Sequence, residues 1–156
     1  MIFYGDETGY TNDYSYLSDA GKSYDNRWMH RPVIDWEKNR NIEKEGTIEN
    51  KVFTSTQKLI SLRKKFKAVG DYKNLTWLTP HNIHVAGYLR ALGDQKLFCL
   101  FNFGKNKAYV TWYIFKEHGE TFQGLYDHWQ EKDYAVGADH EYLILEPYNF
   151  CLLEPQ

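Results

Sequence analysis

Between Thr8 and Glu45 the chain runs through Asp, Asn, Tyr, Ser and Gly without any hydrophobic period. Unstructured segments beyond about 12–15 residues are uncommon inside a compact domain, and are usually functional loops or disordered. The tryptophans and tyrosines of this segment favour a functional loop. Ahead of it stands only the apolar run Met1–Tyr4, which reads as a strand and stops at Gly5-Asp6-Glu7. Behind it comes a single helical pattern. One parallel-type strand and one helix cannot close a layer by themselves, so this part reads as the last βα unit of something larger.

The helical pattern is carried by Ile48, Val52, Phe53, Leu59, Ile60, Leu62 and Phe66, which predict an amphipathic helix from Thr47 to about Lys65. Thr47 suits the N-cap. The basic run Arg63–Lys67 places positive charge at the negative end of the helix dipole, which accounts for it without nucleic acid. After Gly70 the pattern turns to β. The runs Leu75–Thr79, His84–Leu92, Lys96–Phe103, Ala108–Phe115, Thr121–Asp127 and Glu141–Glu154 are rich in β-branched and aromatic residues. Gly104–Lys107 reads as a hairpin turn, and Pro147 as an edge or a bend. No helix is expected in this half. Short strands at this spacing predict an antiparallel sandwich.

Composition removes several classes of function. A net charge of -2 in 156 residues gives no field to attract nucleic acid or an anionic membrane. No apolar run approaches the roughly 20 residues of a membrane span. The start MIFYGDE reaches acids before a signal-peptide core forms, so a cytoplasmic location is expected. Cys99 and Cys151 lie in apolar β-like runs and read as buried free thiols. The aromatic content, 17%, suits β-rich cores and also the faces of sugar rings.

Motifs for chemistry are sparse. His81 and His84 form H-x-x-H, but on extended chain they point to opposite faces, so neither metal nor cofactor is expected. His118, His128 and His140 lie near turns and read as surface residues. Asp6 and Glu7 are adjacent, face opposite ways on a strand, and suit turn or cap contacts better than paired catalysis. No nucleophile elbow, P-loop or dinucleotide fingerprint is found. The segment YDNRWMHRP, Tyr24 to Pro32, concentrates arginines, an acid, a histidine and a tryptophan. It is either a polar surface loop or one wall of a binding pocket.

Two of these segments carry a resemblance. MIFYGDETG resembles the end of the eighth barrel strand in glycoside hydrolase family 13, the α-amylase family. NDYSYLSDAGKSYDNRWMHRPVIDWEK resembles the loop after that strand in amylosucrases, where a D-x-R-W-x-H-R-P pattern recurs, and LEPYNFCLLE resembles the closing strands of the family's C-terminal domain. The resemblance implies an α+β fragment. Residues 1–70 would be strand, pocket loop and helix from the end of a (β/α)8 TIM barrel, and residues 71–156 an antiparallel all-β sandwich. It implies that the family's catalytic acids lie upstream, so that none is in this chain. It also implies that Arg27 lines the floor of a glucosyl pocket, with Asp25, Trp28 and His30 positioning it or lining the pocket. Arginine suits that role because its planar fork can hold a carboxylate and donate to sugar hydroxyls.

The expected function is therefore the C-terminal segment of an amylosucrase-like enzyme acting on sucrose or α-glucan through a covalent glucosyl intermediate. The segment would be inactive alone, and its partners would be that sugar and the missing barrel. A different class is a stand-alone carbohydrate-binding module, in which Trp77, Trp112, Tyr113 and Trp129 stack on sugars; the rival reading places most of them in a core. A third is a docking module that completes a barrel on another chain.

Overall fold

A computed structural model describes residues 2–119, 121–136 and 142–156; Met1, His140 and Glu141, which entered the expectations above, lie outside them. The chain divides into two compact units, residues 1–61 and 62–156.

The first unit is made of turns. Short 3-10 turns at Asp6–Thr8, Ser15–Ser18 and Asn26–His30 lead to helix α1, Trp36–Asn39, and a further turn at Arg40–Glu43. Residues 2–4 form no strand, against the sequence expectation. A strand needs a neighbour for its backbone groups, and the described part of this unit contains no other strand. The chain turns instead. Phe3 N donates to Asp6 Oδ2 at 2.9 Å, and Gly5 takes φ 87°, a conformation that favours glycine. A Cβ at Gly5 would also press on the Tyr10 ring at 3.2 Å.

Helix α2, Ile48–Lys65, matches expectation at both ends. Thr47 Oγ1 accepts from Asn50 N at 3.2 Å, as an N-cap does. The last turn carries Arg63, Lys64 and Lys65. No residue of this helix is buried, and Ile48 is 68% exposed.

The second unit is the β domain, with strands β1 Leu75–Trp77, β2 Val85–Leu92, β3 Gln95–Asn102, β4 Ala108–Thr111, β5 Gly124–Asp127, β6 Lys132–Ala135, β7 Tyr142–Leu145 and β8 Phe150–Pro155. Six form an antiparallel sheet in the order β1-β2-β3-β8-β5-β6, and β4 and β7 form a second, two-stranded sheet. One core lies between the sheets, where Phe98, Leu100, Leu125 and Leu153 meet Val110, Leu143 and Leu145. The other face of the large sheet buries Leu97, Cys99 and Leu152 against Phe66. β3 is thus covered on both faces, which is why its sequence reads as a nearly continuous apolar run. Gly87, on β2, is needed where the strands press closest: a Cβ there would fall 2.5 Å from Leu100 Cδ2. Cys99 pairs with Leu152 and Cys151 with Leu100, so the two thiols belong to opposite faces of the sheet. Both are free and buried, as expected.

Four further differences from the sequence reading have local causes. Ala108–Phe115 is strand only to Thr111, and then helix α3, Tyr113–Lys116. Ile114 and Phe115 are adjacent and both buried, which a helical turn allows and a half-buried strand does not. Gly104–Lys107 is no hairpin, because β3 pairs with β2 and β8 while β4 pairs with β7. The loop crosses between sheets instead, held by buried Asn102. Its Nδ2 donates to Asn106 O and Glu146 O at 2.8 and 3.0 Å, and its Oδ1 accepts from Gly104 N at 2.8 Å. His128 is buried rather than on the surface. Its Nε2 lies 2.7 Å from Glu154 Oε2, and its ring meets Phe66 edge-on at 4.8 Å. Finally, β6 has almost no apolar content to announce it. Among the described residues it is an edge strand, paired with β5 alone. Pro147 does fall at the bend between β7 and β8, as expected.

Candidate functional site

The long loop of the first unit is self-bonded. Asp25 begins the arrangement by capping the Asn26–His30 turn, with Oδ1 accepting from Arg27 N at 3.0 Å. Its carboxylate also takes a two-pronged contact from the Arg27 guanidinium, Nε to Oδ1 at 2.9 Å and Nη2 to Oδ2 at 2.8 Å. The Arg27 side-chain bonds, then the backbone N–H, hold the Asp25 carboxyl at about 2, down from 3.8. The Arg27 side chain remains 73% exposed. Its outer edge is thus turned to solvent while its inner edge is fixed, an arrangement that leaves donors free for a ligand.

Trp28 sits beside two cations, with Lys22 Nζ 5.1 Å and Arg31 Cζ 5.6 Å from its ring centre. His30 points elsewhere. Its Nδ1 lies 3.1 Å from Asn12 Oδ1, and it lines a cavity of about 290 Å³ with Tyr4, Asp6, Tyr10, Asn12 and Pro32. That cavity has fixed walls. Tyr10 OH donates to Asp35 O at 3.0 Å and accepts from Asp35 N at 2.7 Å, and Tyr4 OH donates to Pro32 O at 3.2 Å. Asp13 N donates to Met29 O at 2.9 Å, tying the two limbs of the loop together.

The four residues singled out from sequence therefore do not form one constellation in this chain. Asp25 and Arg27 line a shallow depression with Ser23, Tyr24 and Asn26, and His30 lines the deeper cavity. Sequence reasoning missed Tyr10 and Asn12 as cavity residues. Both stand in the featureless part of the loop, and only the backbone path brings them to His30. Asp6 also faces the cavity while accepting from Phe3 N, so its turn contact was foreseen and its place in the wall was not.

His81 and His84 differ from the extended geometry expected. His81 takes φ 54°, in a bend, and its Nε2 lies 2.9 Å from Glu117 Oε1. Of the four aromatics proposed to stack on sugars, Trp77 and Tyr113 are 67% and 61% exposed, while Trp129 and Trp112 are partly buried against the two cores. Among the described residues, no group of three or more metal-ligating side chains occurs, and no helix is long and apolar enough to cross a membrane.

No known protein-family profile matches the sequence. Solved structures do share its fold. AmyP in complex with maltotriose superposes with a TM-score of 0.61 at 14% identity, over 72% of this chain and 22% of that one. AmyP in complex with maltose gives 0.60 at 14%, over 71% and 22%. A mutant isomaltulose synthase from Erwinia rhapontici NX5 bound to D-glucose overlaps more weakly, at 0.49 and 24% identity, over 67% and 18%. The likeness to AmyP is one of fold, and this chain spans about a fifth of the AmyP chain's length.

Proposed function

We propose that this chain is the C-terminal segment of a family 13 enzyme acting on sucrose or α-glucan, of amylosucrase type. Residues 1–70 belong to the end of its catalytic barrel and residues 71–156 form its β domain. The observation that carries this reading is the state of residues 2–61. They contain no buried apolar side chain, yet they expose Ile2, Phe3, Tyr4, Leu17, Val33, Trp36 and Ile48. A unit of this length that buries no apolar side chain has no core of its own and fits a piece of a larger fold, and a barrel supplies one. The fold shared with AmyP, seen with maltotriose and maltose, supports the choice of sugar.

In this reading Arg27, fixed by Asp25, donates to the hydroxyls of a glucosyl ring, and His30 and Trp28 line or brace the pocket. Retaining transfer proceeds through a covalent glucosyl-enzyme intermediate, formed and broken by carboxylates from outside this chain. Residues 1–156 hold the sugar and steady the barrel, and perform no bond cleavage.

The test is to express the longest reading frame containing this chain beside the 156-residue chain, and to follow fructose and glucose release from sucrose. Activity is expected from the longer product alone, falling about 100-fold in kcat/KM with Arg27→Ala. Turnover by the isolated chain, or a longer product indifferent to deletion of residues 1–156, overturns the proposal. The alternative of a stand-alone carbohydrate-binding or docking module draws on the exposure of Trp77 and Tyr113. It predicts glucan retention by residues 71–156 with no activity in any longer product.

A further inference from the structure

His128 is a buried titratable group that the sugar reading does not use. It follows β5 directly, and its backbone N–H donates to Leu152 O at 2.9 Å, which ties it to β8. Two rings meet it edge-on, Phe66 just after the end of α2 and Tyr126 on β5, each with its centre 4.8 Å away. A ring packed in this way cannot turn to choose its partners. Its two nitrogens must suit the groups that stand before them.

Those groups are of opposite charge. Glu154 Oε2, on β8, lies 2.7 Å from Nε2, and Lys65 Nζ, in the last turn of α2, lies 3.4 Å from Nδ1. An ammonium has three donors and no acceptor, and an ionised carboxylate only accepts. Both bonds form together in one protonation state: Nε2–H donates to Glu154, and a bare Nδ1 accepts from Lys65. The other groups around the ring do not compete for it. Asp127 is engaged by backbone, its Oδ1 accepting from Trp129 N at 2.8 Å and from Leu152 N at 3.1 Å. β3 adds Leu97 and Cys99 to the same face of the sheet, and burial keeps that thiol neutral. Arg63 and Lys64, the other cations of the last turn, are exposed.

A second proton on this ring must go to Nδ1, on the side of Lys65. The contact there then sets two cations 3.4 Å apart, while the bond from Nε2–H to Glu154 becomes one between opposite charges. His128 is locked by packing, and Lys65 is an exposed, flexible side chain, so Lys65 is the one able to move. We propose that His128 is a proton-operated clamp. Neutral, it fastens the last turn of α2 to β8 through Lys65 and Glu154; cationic, it keeps Glu154 and releases Lys65. That turn is where the chain enters the second unit, at Leu62. Acid loosens this point of entry and leaves the sheet intact. The clamp does not rest on the sugar reading.

The test is an NMR titration of the nitrogen-15-labelled 156-residue chain from about pH 8 to about pH 5. Side-chain nitrogen shifts report which ring nitrogen of His128 carries a proton. Amide exchange at Phe66, whose N donates to Leu62 O at 3.0 Å, reports the closing turn of the helix. At the start of the titration Nε2 is expected to be protonated and Nδ1 bare. As the ring gains its second proton, the Lys65 side-chain resonances should move and the Phe66 amide should lose protection severalfold, with the amides of β3 unchanged. Lys65→Met keeps the stem and lacks the donor, and should show the lower Phe66 protection throughout the titration. His128→Phe keeps the ring packing and should abolish the step. The wild-type titration decides by itself. A lone proton on Nδ1 at the start overturns the inference. So does Phe66 protection that ignores the second proton, or unfolding of the sheet before the ring takes it.

Discussion

Residues 2–61 and residues 62–156 solve the problem of order in opposite ways. The second unit holds every buried apolar side chain described, in two clusters on the two faces of one sheet. The first buries Gly5 and Thr8 and is held by turn hydrogen bonds, caps and ion pairs. Each such bond contributes about 0.5–1.5 kcal/mol net, and exposed ion pairs less. Burial of one large apolar side chain contributes about 1.5–3 kcal/mol. The β domain therefore carries the stability, while the loop unit is ordered by polar contacts and leaves large apolar side chains exposed.

That contrast can be broken by substitution. Phe98→Ala, which removes a ring whose centre lies 4.8 Å from that of Phe115 and 5.7 Å from that of Phe122, should cost about 3–5 kcal/mol in chemical denaturation. Val33→Ala in the loop unit, at an exposed site, should change stability by no more than about 0.5 kcal/mol. Equal effects would mean that the loop unit has a core of its own. Asn102→Asp should cost about 2–3 kcal/mol, because a carboxylate would face the carbonyls of Asn106 and Glu146 that the amide now serves. Gly87→Ala should cost about 1–3 kcal/mol through the Leu100 contact, and Thr47→Ala about 1 kcal/mol through the lost cap.

A pH titration sharpens the same contrast at the loop. The folded Asp25 carboxyl titrates near 2, below its ordinary 3.8. Its contribution to order is complete above about pH 4 and is lost as pH falls toward 2. Carboxyl carbon shifts by NMR should show a midpoint near 2 that returns to the ordinary range in Arg27→Ala. The β domain shows the reverse sign. Burial pushes the Cys99 thiol up to about 12, so its neutral form is favoured in the fold and stability falls as pH rises above about 8.5. Neither thiol should react with a disulfide reagent until the sheet unfolds.

Legibility in the sequence follows the same division. The helix end at Lys65, the strands β2, β3 and β8 and the buried thiols were readable because local pattern and burial agree there. The cross-sheet loop at Gly104–Lys107 was not, since its course depends on which strands β3 and β4 pair with, a non-local choice. Nor was the burial of His128, which depends on Glu154 and Phe66 arriving from distant positions. In the loop unit the Asp25–Arg27 pair is a neighbour contact and could be anticipated from its motif. The His30–Asn12 contact spans eighteen residues of irregular chain, and no period announces it.

The most direct test of the account is hydrogen exchange, followed by mass spectrometry, on the 156-residue chain. Amides of β2, β3 and β8 are expected to exchange only through global unfolding. Hydrogen-bonded amides such as Asp13, Arg27 and Asp35 should exchange orders of magnitude faster. Equal protection of the two units, lost together in one transition, would contradict it.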